Sequence, residues 1–116
     1  LVSSGQNGNN PDVLPLMRLL YDNSVDIVLA GHDHSYERFN PITPEQVSDF
    51  SRGFRMFVVG TGGRDLYTFP RSLPASAVRI NSNFGVLRIV MSPTSYEWQY
   101  VQLGGTIADS GSASCF

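Results

Sequence analysis

A short apolar segment that ends in a histidine-containing polar cluster constrains the fold of this chain more than any other feature. Residues 25–30 (VDIVLA) form a largely β-branched run that predicts a buried strand. A helix is predicted just before it, with Asn10 as N-cap and Pro11 in its first turn. A helix followed at once by a buried strand is typical of an α/β unit. In such folds functional groups often follow the carboxyl ends of strands, where His32 and His34 lie here.

The rest of the chain predicts more strand than helix. Three further strands are expected at residues 55–59, 84–91 and 96–103. The last two form a hairpin, and the alternation of Tyr96, Trp98 and Tyr100 along one face favours sheet packing over a ligand platform.

Gly, Pro and small polar residues predict irregular structure elsewhere. Long loops are expected at residues 39–54 and 64–83, and the tail from Gly104 is small and polar. The sequence therefore predicts one α/β domain with one main helix, about four strands and long loops.

Composition excludes two classes of partner. The 116 residues carry a net charge of −2, which gives no electrostatic basis for nucleic-acid binding, and no apolar run is long enough to span a membrane. The single cysteine, Cys115, is either free or paired outside this sequence. The chain begins with Leu1 rather than Met and has no signal-peptide pattern, so a processed or truncated product is expected.

The pair His32 and His34 is the main candidate for chemistry. In an extended backbone, residues i and i+2 point to the same side, so both imidazoles can reach cations about 3.5–4 Å apart, as in two-metal hydrolases. Asp33 is expected to point away and to orient a neighbour or a substrate group. A bare His-x-His is also compatible with two exposed loop histidines. The strand end and the flanking residues favour metal binding.

The flanking residues form a longer pattern, Gly31-His32-Asp33-His34-Ser35-Tyr36-Glu37-Arg38. This block resembles the last metal-binding block, GHxHxYER, of the purple acid phosphatases within the calcineurin-like metallophosphoesterase superfamily, and every defined position matches. Less specific resemblances cover nearly the whole chain, at residues 3–11, 58–63, 83–87, 96–98 and 109–115.

The resemblance implies a fold, a cofactor and an activity. Residues 1–116 would be the C-terminal part of a catalytic domain, namely the C-terminal half of a two-sheet αββα sandwich. The complete protein would hydrolyse phosphate monoesters with two metal ions (Fe, Zn or Mn), of which His32 binds one and His34 the other. It would be secreted or periplasmic. Phosphodiesterase or nucleotidase activity is the alternative within the superfamily.

The other ligand blocks of that family, which supply its bridging aspartate, asparagine and further histidines, are not found in this sequence. Asp49, Asp65 and Asp109 lack the flanking patterns of those blocks. The chain alone is therefore expected to be inactive. It should associate with a missing N-terminal half or with itself through an exposed apolar edge.

Several side chains near the block have two interpretations. Tyr36 either donates a hydrogen bond to substrate or packs, and Arg38 either contacts phosphate or pairs with a carboxylate. Glu37 is expected to be structural, and Arg64 and Asp65 lie either near the site or in a surface turn. A hypothesis of another class is a non-catalytic β-rich binding module, which predicts an exposed Trp98.

Overall fold

The computed structural model describes residues 2–116, so the expectation attached to Leu1 lies outside the described residues. Within these described residues, a 3₁₀ turn and one α-helix come first, and seven strands follow. In chain order they are 3₁₀ Pro11–Val13, α1 Leu14–Asp22, β1 Ile27–Ala30, β2 Tyr36–Ile42, β3 Phe54–Val59, β4 Ser76–Ile80, β5 Gly85–Ser92, β6 Ser95–Gln102 and β7 Ile107–Ser114.

The strands form two sheets. The first has the order β1-β3-β2-β4, in which β1 runs parallel to β3 and the other pairs are antiparallel. The second is the antiparallel sheet β5-β6-β7. Helix α1 covers one face of the first sheet, and the second sheet covers the other. The predicted α/β class with two sheets and one main helix is thus observed. None of the helices within residues 2–116 has the length and apolar character needed to cross a membrane.

The helical segment begins after Asn10 as the sequence predicts, but its first turn is the 3₁₀ turn Pro11–Val13, and α1 itself follows Val13 without a side-chain cap. The side chain of Asn10 accepts a hydrogen bond from the main-chain N–H of Asp12 at 2.9 Å, which satisfies a free donor of the first turn. Met17 is buried and anchors the helix on the first sheet. This helix-side core is made of Val2, Met17, Phe39, Ile42, Phe54, Met56, Val58 and Ala75.

A second, aromatic core lies between the two sheets. Tyr96, Trp98 and Tyr100 of β6 are buried there together with Tyr36 and Phe57 of the first sheet. The rings of Tyr36 and Tyr100 stack with centroids 4.0 Å apart. The prediction that the aromatic stripe packs in the sheet is confirmed. The exposed Trp98 required by the binding-module hypothesis is contradicted, since this residue is 5% exposed.

Two predictions of irregular structure were wrong, and the tail, for which no strand was predicted, also forms one. Most of β2 lies in the expected loop 39–54, because a register shift between Arg38 and Pro41 accommodates the proline in the strand. β4 lies in the expected loop 64–83 as a half-exposed edge strand. The small, polar tail forms β7, since pairing with β6 outweighs the weak strand propensity of its residues.

Candidate metal centre

The segment Gly31–Arg38, called the histidine block below, begins where the parallel strands β1 and β3 end. It follows β1 directly, and the glycine-rich residues 60–63 follow β3, so both segments meet at one edge of the sheet. The N–H of Gly60 donates to the carbonyl of Ser35 at 3.1 Å. A Cβ at Gly60 would lie 2.0 Å from the carbonyl oxygen of Asp33, so the two segments approach too closely for any side chain there.

The backbone turns sharply inside the block. His32 has a φ of 74°, in the left-handed region that few non-glycine residues adopt. The extended geometry assumed for the pair from the sequence is therefore wrong at His32, and the i, i+2 argument does not place the two rings. His32 is exposed, and it borders a polar depression of about 350 Å³ that Asn7, Asn9 and Asn10 also line.

His34 is held by the segment that follows β3. Its Nδ1 lies 2.9 Å from the main-chain oxygen of Asp65, and its ring stacks on Tyr67 with centroids 4.0 Å apart and planes 21° apart. The N–H of Tyr67 in turn donates to the carbonyl of His34 at 2.8 Å. Asp65 and its neighbour Arg64 thus lie beside the site, with exposed side chains that pair with each other.

Asp33 is fully buried, in contrast to the exposed His32. One of its carboxylate oxygens accepts from the hydroxyl of Ser3, and the other accepts from the main-chain N–H and the side-chain amide of Asn7, both at 2.9 Å. The carboxylate therefore fixes residues 3–7 against the block. The expectation that Asp33 orients a neighbouring segment is confirmed.

Glu37 is also fully buried and has the structural role that the sequence predicts. It accepts a hydrogen bond from the main-chain N–H of Ser4 at 2.8 Å and another from the hydroxyl of Ser76 in β4. Two buried carboxylates from one block therefore hold the N-terminal segment in place, each with its acceptors satisfied.

Tyr36 and Arg38 share one carboxylate, that of Asp109 in β7. The Tyr36 hydroxyl donates to it at 2.6 Å, and Arg38 donates to both of its oxygens at 2.7 and 3.0 Å. Trp98 donates from Nε1 at 3.2 Å, and the Arg38 guanidinium lies 5.1 Å from the centroid of its ring. These contacts match the packing and ion-pair alternatives for Tyr36 and Arg38.

The electrostatics of this cluster favour one protonation state. Burial raises the pKa of the Tyr36 hydroxyl far above its ordinary value, and the hydrogen bond to Asp109 raises it further. Burial opposes the ionisation of Asp109, but hydrogen bonds from Arg38 and Tyr36 outweigh it and keep the Asp109 pKa below the ordinary value. The cluster therefore holds a carboxylate, a guanidinium and a neutral phenol. Sequence reasoning missed Asp109 because a lone Asp in a Ser- and Gly-rich tail carries no pattern.

The residues present fit a metal site only in part. Neutral imidazole is a good ligand for Zn and Fe, and the contact of His34 Nδ1 leaves its Nε2 available. Within residues 2–116, however, no group of three or more His, Cys, Asp or Glu side chains is placed to hold a metal ion. The chain thus offers two candidate ligands rather than a complete site.

The sole cysteine, Cys115, is free and half-buried.

The fold resembles part of a solved structure. No protein-family model matches the chain, and no curated protein sequence matches it. Among solved structures, purple acid phosphatase PPD1 from yellow lupin (Lupinus luteus) seeds is similar over 98% of this chain, with a TM-score of 0.82 and 26% identity. This chain covers 23% of that structure's chain. The predicted fold class, a mixed α/β structure that matches the C-terminal part of a purple-acid-phosphatase-type fold, is confirmed.

Proposed function

We propose that residues 1–116 are the C-terminal part of a metallophosphoesterase catalytic domain that hydrolyses phosphate monoesters. One observation carries the proposal: the block from Gly31 to Arg38, which resembles a metal-binding block, lies at the carboxyl end of a parallel strand in a purple-acid-phosphatase-like fold. Fold similarity alone does not define an activity, whereas a block of this kind at that strand end supports one.

In this proposal His32 and His34 each bind one of two metal ions (Fe, Zn or Mn). When bound, such ions supply a hydroxide nucleophile at moderate pH and bind the oxygens of the phosphate ester. The chain's own residues do the positioning: Asp33 and Glu37 hold the N-terminal segment against the block, and the segment after β3 holds the His34 ring. Arg38 and Tyr36 are engaged with Asp109, so direct substrate contact by either would require that cluster to rearrange.

An open groove between the sheets supports the expected association with the rest of the domain. β1 and β5 are edge strands of their sheets within the described residues, and both line a groove of about 520 Å³. Leu29 lies on the same face of β1 as Ile27, which packs into the aromatic core, yet Leu29 is 60% exposed. A core-facing apolar side chain left this exposed indicates a surface that a further polypeptide covers.

The groove also ends beside the histidine block. Gly31 lines one end of the groove and directly precedes His32. A strand added parallel to β1 would therefore end next to His32 and bring further ligands to the same edge of the sheet. The yellow lupin structure is about four times as long as the matched segment, which leaves room for such a part. Secretion of the complete protein remains a prediction.

Metal titration of the chain tests this function. We expect weak Zn²⁺ binding by calorimetry, because two imidazoles without a bridging carboxylate form an incomplete site. The variant His32→Ala/His34→Ala should lose that binding, whereas Arg64→Ala, an exposed change beside the same site, should retain it. Equal Zn²⁺ affinity in the double variant and the wild-type chain would overturn the proposal.

A further inference from the structure

The segment from Gly60 to Tyr67 follows β3 and packs against the histidine block at the same edge of the sheet. Its first residue donates from the main chain to Ser35, and its last donates to the carbonyl of His34 at 2.8 Å. Tyr67 is also held by Asn81, which directly follows β4 and donates from its side-chain amide to the Tyr67 carbonyl at 3.0 Å. Both ends of the segment are therefore tied to residues that flank β2 and β4, and its inner groups have a defined position against His34.

Two groups of this segment contact the imidazole of His34: the main-chain oxygen of Asp65 and the ring of Tyr67. The main-chain oxygen of Asp65, 2.9 Å from Nδ1, can only accept, so Nδ1 must carry the hydrogen. A neutral imidazole with its hydrogen on Nδ1 presents a lone pair on Nε2. The Tyr67 ring covers one face of the imidazole at a centroid distance of 4.0 Å and restricts its rotation.

We propose that Tyr67 and the Asp65 carbonyl are the positioning groups that fix the tautomer and the orientation of His34, so that Nε2 is its ligating nitrogen. The proposal deepens the proposed function and rests on it only for the identity of the ligand. Metal-ligating histidines commonly donate their second ring nitrogen to a carbonyl, and loss of such outer contacts weakens metal binding.

Nitrogen-15 spectroscopy of the two imidazoles, at about pH 9 where histidine side chains are neutral, tests this inference. Free imidazole side chains favour the tautomer with hydrogen on Nε2. We expect His34 to show the opposite tautomer and His32 to show the ordinary preference. The chain has only two histidines, so the variant His32→Ala assigns the signals.

Two substitutions distinguish the effect of the Tyr67 ring from the effect of an apolar side chain of any shape. Tyr67→Phe should keep the His34 tautomer, whereas Tyr67→Leu, which keeps an apolar side chain without a ring, should shift it toward the free preference and weaken Zn²⁺ binding by about tenfold or more. Arg64→Ala should change neither, because its exposed side chain pairs only with the Asp65 carboxylate.

The outcomes for the two proposals are distinguishable. A fixed Nδ1–H tautomer in wild type that is lost in Tyr67→Leu supports the positioning inference, even if the chain binds no metal and the proposed function fails. An ordinary tautomer in wild type, or no difference between Tyr67→Leu and Tyr67→Phe, overturns the inference whatever the metal affinity.

Discussion

Arg38 on β2 and Asp109 on β7 form a two-point ion pair that joins the two sheets through the aromatic core. The pair is mostly shielded from solvent, with 14% of the Arg38 side chain and 8% of the Asp109 side chain exposed. Tyr36 and Trp98 donate to the same carboxylate, so four donor groups from both sheets depend on Asp109. The cluster makes the strand at the C-terminus part of the core.

Removal of this carboxylate should destabilise the fold strongly. We expect Asp109→Ala to lower the free energy of unfolding by about 3–5 kcal/mol, because it leaves the Arg38 charge buried without a partner. Urea denaturation measures the loss. Asp65→Ala is the control, since its exposed carboxylate pairs only with an exposed Arg64 and should leave stability nearly unchanged. Equal stability of the two variants would contradict the assignment of Asp109 as the inter-sheet anchor.

The same cluster predicts how stability depends on pH. The Asp109 pKa lies below that of an unfolded aspartate, about 3.9, so its contribution is complete above that value and is lost as the pH falls through the folded pKa. Burial raises the Tyr36 pKa, so the Tyr36 contribution is complete below about pH 10 and is lost as the pH rises further.

Thermal unfolding measured across pH checks both the loss of stability at low pH (the acid limb) and the loss at high pH (the alkaline limb). Asp109→Asn should flatten the acid limb, although Asp49 will preserve part of it, because hydrogen bonds from Ser51 and Tyr21 lower the Asp49 pKa to about 2. Tyr36→Phe should flatten the alkaline limb. An unchanged pH profile in both variants would show that the cluster does not govern the titration.

Gly60 should be the least replaceable glycine of the glycine-rich strand end. A Cβ there would lie 2.0 Å from the main-chain oxygen of Asp33, whereas a Cβ at Gly62 would have no heavy atom within 4 Å. We expect Gly60→Ala to cost at least about 1–3 kcal/mol and to displace the histidine block, and Gly62→Ala to be nearly neutral. Urea denaturation gives the cost, and the imidazole nitrogen-15 shifts report the displacement. Similar behaviour of the two variants would refute the close approach.

Exposed apolar groups at the groove should drive association. Leu29→Lys places a charge in the groove, so we expect weaker self-association of the chain by sedimentation velocity and better solubility. Leu19→Lys is the matched control, because Leu19 is also 60% exposed but lies on α1, away from the groove residues. An equal effect of both lysines would indicate non-specific hydrophobic association rather than a docking surface at β1.

The sequence predicted the elements whose signal is local and missed those that depend on distant partners. The helical segment 11–22 has Asn10 as its capping residue and an apolar face, and β1, β3, β5 and β6 are rich in β-branched or aromatic residues. β7 has neither property. It forms through pairing with β6, and Gly111 allows the close approach to the Trp98 ring, where a Cβ would come within 2.3 Å of a ring carbon.

The candidate site shows the same division. Its two histidines and buried Asp33 and Glu37 stand in one contiguous block, so a pattern could identify them. Tyr67 stacks on His34 from 33 residues away in the sequence, and Asp109 pairs with Arg38 from 71 residues away. Both depend on how the chain returns to the sheet edge, which no local spacing encodes.

Transfer of this chain into a complete domain tests the central claim most directly. Residues 2–116 would replace the matching segment of the yellow lupin purple acid phosphatase, and hydrolysis of p-nitrophenyl phosphate would be measured for chimeras that circular dichroism shows to be folded. We predict hydrolysis by the chimera and a decrease of about 100-fold or more in its His32→Ala/His34→Ala variant. A folded chimera without activity, or equal activity in the double variant, would contradict the assignment of His32 and His34 to a phosphoesterase metal centre.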